Sequence, residues 1–321
     1  MTDVTGWLMD GDPAIRWQTL RDLLDAPEAD WRAVRAQVGS EGWGRRLLDL
    51  QDADGSWTGG AFVPAGFTRD MWQAEGQPWT ATSYVLTDLR HMGLPPDSAA
   101  ARRTVDLIGR TVRWDHDDQP FWEGEVDACI NGRALADGAY FGAPVGGIAA
   151  GLLAARQADG GWNCERCNGS SRSSFDSTIN VLEGLFAWET RAGATEATRA
   201  ARAAGEGYLL ERGLYRRTTT GAPADDRYLS LFYPWRWRHC VLRGLDYFRA
   251  VSLRDATPPD PRLADAVQVL RTCRRDDGTW APDRDFAGRV WFRMDDGVGR
   301  PSRWLTLMAA RVLRWWDDGR R

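Results

Sequence analysis

The sequence predicts an all-α protein built from repeated helical hairpins. Three observations lead there: a short turn motif that recurs along the chain, segments of helical length on both sides of it, and no convincing strand pattern. The motif reads Gln51-Asp52-Ala53-Asp54-Gly55-Ser56-Trp57, then Gln157-Ala158-Asp159-Gly160-Gly161-Trp162, then Arg274-Arg275-Asp276-Asp277-Gly278-Thr279-Trp280. Its shared core is Asp-Gly-x-Trp. Asp can bond its own backbone and Gly accepts positive φ, so the pair makes a turn. The Trp then folds back onto the helix just left, burying a large apolar face and bringing an N–H that wants a partner. Two worn copies, Asp117-Asp118-Gln119-Pro120-Phe121-Trp122 and Glu211-Arg212-Gly213-Leu214-Tyr215, fill the gaps. The spacing is then about 40–65 residues, the size of a helical-hairpin repeat.

Taken in order, segment 13–25 is a first helix, opened by Asp12-Pro13. Helices that lead into the turns are expected at 30–50, 97–114, 146–157, 195–212 and 261–275. Those that leave them are expected at 79–92, 127–141, 175–190, 235–250 and 302–316. Pro96-Asp97 and Asp260-Pro261 offer further caps. That makes about eleven or twelve helices. Gly59–Gly66, Ala222–Asp226 and Asp255–Asp260 read as loops and not domain linkers, because the repeat runs through them all. A single domain over 1–321 is the expectation.

Composition narrows the function classes. The 321 residues include 18 Trp, 5 Cys, 3 His and no Lys, all 41 basic residues being Arg. Without Lys, Schiff-base and P-loop lysine mechanisms are excluded. A net charge of −4 with mixed signs argues against a nucleic-acid partner. No apolar run approaches the roughly 20 residues of a transmembrane helix. Met1–Asp10 lacks the features of a signal peptide. An odd cysteine count with no secretory context implies reduced thiols and a cytoplasmic location.

The Asp-Gly-x-Trp turns after Gln or Arg resemble the QW repeats of squalene–hopene cyclases and protein prenyltransferase β-subunits. The resemblance covers nearly the whole chain and is nearest to small single-domain bacterial members of that terpenoid cyclase and prenyltransferase superfamily. It implies an (α/α)6 toroid, with inner and outer helical rings around a funnel that takes a hydrophobic, isoprenoid-type substrate. Functional residues then belong at the starts of the inner helices. The third such start reads Glu125-Val126-Asp127-Ala128-Cys129. Terpenoid cyclases hold Asp-x-Asp-Asp there, so the resemblance implies Asp127 as proton donor with Glu125 assisting. Prenyltransferases hold Asp-x-Cys there, two ligands of a zinc ion, matched here by Asp127 and Cys129. Their third ligand, a His at the next inner start, is replaced by Asp176, and Cys164-x-x-Cys167 just before it has metal-chelating spacing.

Zinc is therefore the one cofactor implied, with Asp127, Cys129, Cys164 and Asp176 as its candidate ligands. The Arg and Lys that prenyltransferases place before the zinc Asp to hold a diphosphate are absent; this chain has Trp122-Glu123-Gly124-Glu125 instead. That disfavours prenyl transfer unless Arg133, Arg236 or Arg238 reaches in. Trp122, Trp235, Trp237 and His239 are the candidate substrate-binding residues, since aromatic faces stabilise carbocations. Asp115-His116-Asp117-Asp118 also spells Asp-x-Asp-Asp but falls in a turn, where a solvated acidic cluster is expected. Three functions follow: acid-initiated cyclisation at Asp127, zinc-dependent prenyltransferase-like chemistry at Asp127 and Cys129, or a non-catalytic toroid that binds a lipid, peptide or protein.

Overall fold

The computed structural model describes residues 3–319, which form helices joined by turns and loops, with no strand among them. In chain order the α-helices are α1 (Val4–Met9), α2 (Pro13–Asp22), α3 (Glu28–Ala36), α4 (Gly42–Asp49), α5 (Arg69–Glu75), α6 (Thr82–Met92) and α7 (Ala99–Thr111). They continue with α8 (Ala128–Phe141), α9 (Gly146–Ala154), α10 (Phe175–Ala192), α11 (Glu196–Leu210), α12 (Val241–Asp255), α13 (Ala264–Thr272) and α14 (Arg303–Asp318). Among the described residues, no helix is long and apolar enough to cross a membrane.

Most expected helices are present, with instructive shifts. The segment at 30–50 divides into α3 and α4 because a 3-10 turn at Gln37–Gly39 and the left-handed Gly42 (φ 63°) interrupt it. Val241 opens α12 six residues later than position 235. Arg236 adopts a φ of 56° there, and the turn closes by Arg238 N–H donating to the Trp235 carbonyl at 2.9 Å. Two short helices are additions: α1, capped by Asp3, and α5, capped by Thr68. Asp12 and Asp260 cap as expected. Pro96-Asp97 does not; Ser98 takes that role, accepting from Ala101 N–H at 3.2 Å.

The repeated turns share one construction. Gly55, Gly160 and Gly278 have φ of 91°, 99° and 85°, which lets each chain reverse without a Cβ penalty. The Trp that follows is buried and donates its indole N–H to a carbonyl ten residues earlier: Trp57 to Leu47 at 2.8 Å, Trp162 to Leu152 at 2.7 Å and Trp280 to Leu270 at 2.9 Å. Those carbonyls lie in the last turn of a helix, where backbone donors run short; the Leu47 carbonyl also accepts the Leu50 N–H, at 3.2 Å. Each Trp backbone N–H then donates to a threonine at the start of the next long helix, Thr82, Thr178 or Thr306. One residue thus closes one helix and positions the next.

The two kinds of helix differ in burial. α7, α9 and α13 bury one stripe each, such as Ala101, Thr104 and Ile108 on α7. α6, α8, α10, α12 and α14 bury residues on most of their circumference, polar ones included. The chain divides into two compact units. One comprises Arg35–Gly205 with Phe286–Phe292; the other comprises the chain up to Val34, Glu206–Asp285 and the chain from Arg293 onward. In the first unit α8 and α10 pack backbone to backbone. A Cβ on Gly132 would stand 2.5 Å from the Asn180 carbonyl group, and one on Gly184 would stand 2.5 Å from the Gly132 oxygen. In the other unit α2, α12 and α14 meet around Arg311, which binds Asp22, Asp246 and Gln18.

Candidate metal centre

The centre is assembled from three places in the first unit: the lead into α8, the turn after Trp162 and the start of α10. Gly124 (φ 94°) turns the chain into α8, and a Cβ there would lie 2.6 Å from Asn131 Oδ1. That oxygen accepts the Glu125 N–H at 2.7 Å, while the Asn131 amide donates back to the Glu125 carbonyl. The Glu125 carboxylate accepts the Asp127 N–H at 2.6 Å. Asp127 occupies the N-cap position of α8, yet its side chain makes no capping hydrogen bond. Its carboxylate is left to face the cysteines.

Cys129, in the first turn of α8, donates its backbone N–H to Cys164 Sγ at 3.3 Å. First-turn N–H groups have no helical acceptor, so a sulfur carrying negative charge is a favourable partner. Cys164 opens the 3-10 turn Cys164–Arg166 directly after the Trp162 clamp. Its own N–H donates to Ser177 Oγ at 3.2 Å, and its sulfur lies 3.3 Å from the same oxygen. Ser177 is held in the first turn of α10 by the Ser174 cap. As a result one carboxylate oxygen of Asp127 and the sulfurs of Cys129 and Cys164 all lie within 4.8 Å of one another, in partly buried surroundings.

The charges in this cluster are unevenly shared. Partial burial, with the carboxylates of Glu125 and Glu165 adding to it, raises the Asp127 carboxyl above the usual range. Hydrogen bonds from the Cys129 thiol, Ser177 and the Cys129 N–H lower the Cys164 thiol against the effect of its burial. Cys129, as the donor of that pair and itself partly buried, is raised well above an ordinary thiol. Cys164 is thus the first sulfur to become a thiolate, seated at a helix N-terminus. Two sulfurs and a carboxylate are a donor set that zinc accepts, and three protein ligands leave one position for a reactant.

The other predicted site residues lie as follows. Cys167 is exposed and donates its thiol to the Cys164 carbonyl at 3.4 Å, and neither it nor the Asp176 carboxylate belongs to the three-ligand group. Asp176 sits in the first turn of α10, its carbonyl accepting from Asn180. Trp122 is buried, its indole N–H donating to the Val105 carbonyl at 3.2 Å and its ring edge-on to Phe121. Trp235, Trp237 and His239 belong to the other unit. Trp235 is buried edge-on to Tyr233, and Trp237 is stacked by the Arg238 guanidinium at 4.4 Å. His239 is fully buried, with Nε2 donating to the Leu214 carbonyl at 2.8 Å; burial, helped by Arg243 and Arg227, pushes it down to about 3.

Asp115-His116-Asp117-Asp118 is an exposed turn, with Asp117 and Asp118 at φ 56° and 53°. Ser177 and Asn131 are the contributors that sequence reasoning misses. Ser177 stands three residues after Ser174, a spacing that announces a helix cap and says nothing about a thiol. No family model matches the chain, and no curated protein matches it either. Among solved structures, the crystal structure of a protein from Actinoplanes is similar, at 17% identity and a TM-score of 0.45, over 97% of this chain and 91% of that one.

Proposed function

We propose that the protein is a zinc-dependent enzyme of the terpenoid cyclase and prenyltransferase type, acting on a hydrophobic, isoprenoid-type substrate. The observation that carries this reading is the convergence of Asp127, Cys129 and Cys164, from segments 35 residues apart in sequence, to within 4.8 Å. These three would hold the ion, with Ser177 and the Cys129 N–H orienting Cys164 and Glu125 fixing the Asp127 backbone. When bound, zinc supplies Lewis acidity that activates a thiol or a water. An (α/α)6 toroid is part of the proposal, supported by the repeated Trp clamp and by helices buried all round alternating with helices buried on one stripe.

Metal analysis tests it. After purification with zinc present, one zinc per chain is expected, lost in Cys129→Ala and Cys164→Ala and kept in Cys167→Ser. A parent chain without zinc, or a Cys129→Ala chain that keeps it, sinks the proposal. A second reading has its own support: Asp127, raised by burial and by Glu125, suits a proton donor to an alkene. It requires turnover of a polyprene that survives chelation of metal and disappears in Asp127→Asn.

A further inference from the structure

Arg133 lies on α8 one helical turn after Cys129, on the same face of the helix. It is 2% exposed. Its Nη2 donates to Ser83 Oγ at 3.3 Å, and its guanidinium carbon stands 4.5 Å from the centre of the Tyr84 ring. Nε and Nη1 are buried and make no hydrogen bond. The carboxylate one turn further on makes no ion pair with it. Asp137 accepts from Arg90 Nε at 2.6 Å through one oxygen and from Thr87 Oγ1 at 2.7 Å through the other. Arg133 is therefore a buried positive charge without a carboxylate of its own, an arrangement that costs stability unless a neighbour compensates it.

A neighbour of the right sign lies toward the start of the helix, the direction in which helical side chains lean. Asp127, Cys129 and Cys164 as anions bring three negative charges against the two positive charges of zinc, leaving one negative charge in excess. We propose that Arg133 is a positioning residue that offsets this excess charge of the Asp127–Cys129–Cys164 centre and so sets its affinity for zinc. The inference rests on the zinc reading above.

The test is zinc affinity by chelator competition in the full chain, with circular dichroism and thermal melting alongside. Arg133→Met is expected to bind zinc roughly ten- to a hundredfold more weakly than the parent, the range for outer partners of metal ligands. Arg133→Lys keeps the charge and is expected to stay close to the parent, which a loss of packing alone would not produce. If Arg133→Met does not fold, Arg133→Gln serves the same comparison. A folded Arg133→Met or Arg133→Gln chain with parental affinity overturns the inference while leaving the zinc site standing. A parent chain that takes up no zinc overturns both.

Discussion

At the scale of single residues, the chain repeatedly uses one side chain to satisfy one stranded backbone group. The Trp clamps show what this is worth. Trp162→Phe keeps most of the buried ring but leaves the Leu152 carbonyl without its donor, and an unsatisfied buried acceptor costs about 1–3 kcal/mol. A matching fall in stability is expected by urea unfolding, and no change would show that the indole N–H is dispensable. The two Asp-x-Asp-Asp-like strings separate in the same way. Asp117→Asn, in an exposed turn, is expected to leave zinc stoichiometry unchanged, whereas Asp127→Asn removes a ligand and weakens uptake severalfold or more. Equal effects would contradict the assignment.

Asp295 gives a residue-scale pH prediction. Burial pushes its carboxyl up to about 6 from 3.8, although it accepts the Ser302 hydroxyl at 2.5 Å. The folded state therefore holds a proton that the unfolded chain has released, so stability falls as pH rises from about 4 to 6. Asp295→Asn keeps an acceptor for Ser302 and removes that loss, with an expected gain of about 1–3 kcal/mol at pH 7. Thermal melts at pH 4 and pH 7 check it: the gain must appear at the higher pH and shrink at the lower.

Helix against helix, the decisive contacts are made by what is missing. Gly132 and Gly184 let α8 and α10 approach until backbone meets backbone, and that approach places Cys129 beside the turn carrying Cys164. Backbone atoms cannot yield as a side-chain tip can. Gly132→Ala is therefore expected to cost about 1–3 kcal/mol or more, and to loosen the centre as well. Denaturant unfolding measures the first effect and zinc affinity the second; an unchanged melting curve would contradict this packing. The periodic pattern of each helix is visible in the sequence, but the pairing of Gly132 with Gly184 is not. Nothing local distinguishes a glycine at a helix crossing from one tolerated on a surface.

On the scale of the whole molecule, the chain's first and last parts are tied together within one unit. Arg311 on α14 binds Asp246 on α12, and Gln18 and Asp22 on α2. Arg249 joins the same carboxylates at its side. All are nearly buried, so the cluster holds only while its charges balance. Arg311→Met leaves Asp246 with Arg249, and Asp22 with Arg21 and a longer contact to Arg249, and is expected to cost about 3–5 kcal/mol. The cluster also predicts acid sensitivity. Against their burial, Asp22 is held below the usual carboxylate range by the hydrogen-bonded Arg21 together with Arg311 and Arg249, and Asp246 by Arg311 and Arg249. Their contribution is present above the unfolded carboxylate range and is lost as pH falls through the lowered folded values. Urea midpoints should decline below about pH 4 in the parent and decline less steeply in Arg311→Met.

Read without a structure, the chain already declares most of its longer helices, its repeated turns and a small group of candidate ligand residues. Those signals are local: an Asp-Gly pair needs only its own backbone to turn, and a Trp ten residues past a leucine carbonyl needs only the preceding helix to close on. Asp127-x-Cys129 and Cys164-x-x-Cys167 are legible for the same reason. Folding in three dimensions made the selection among them. Cys164, opening the Cys164–Arg166 turn, meets the α8 N-terminus while Cys167, just after the turn, faces solvent, and Asp176 stays out of the cluster while the unremarkable Ser177 enters it. The same packing gives Arg133 its buried place without an acid partner. Distances between segments far apart in sequence depend on how α8 and α10 cross, and that crossing is a property of both helices together.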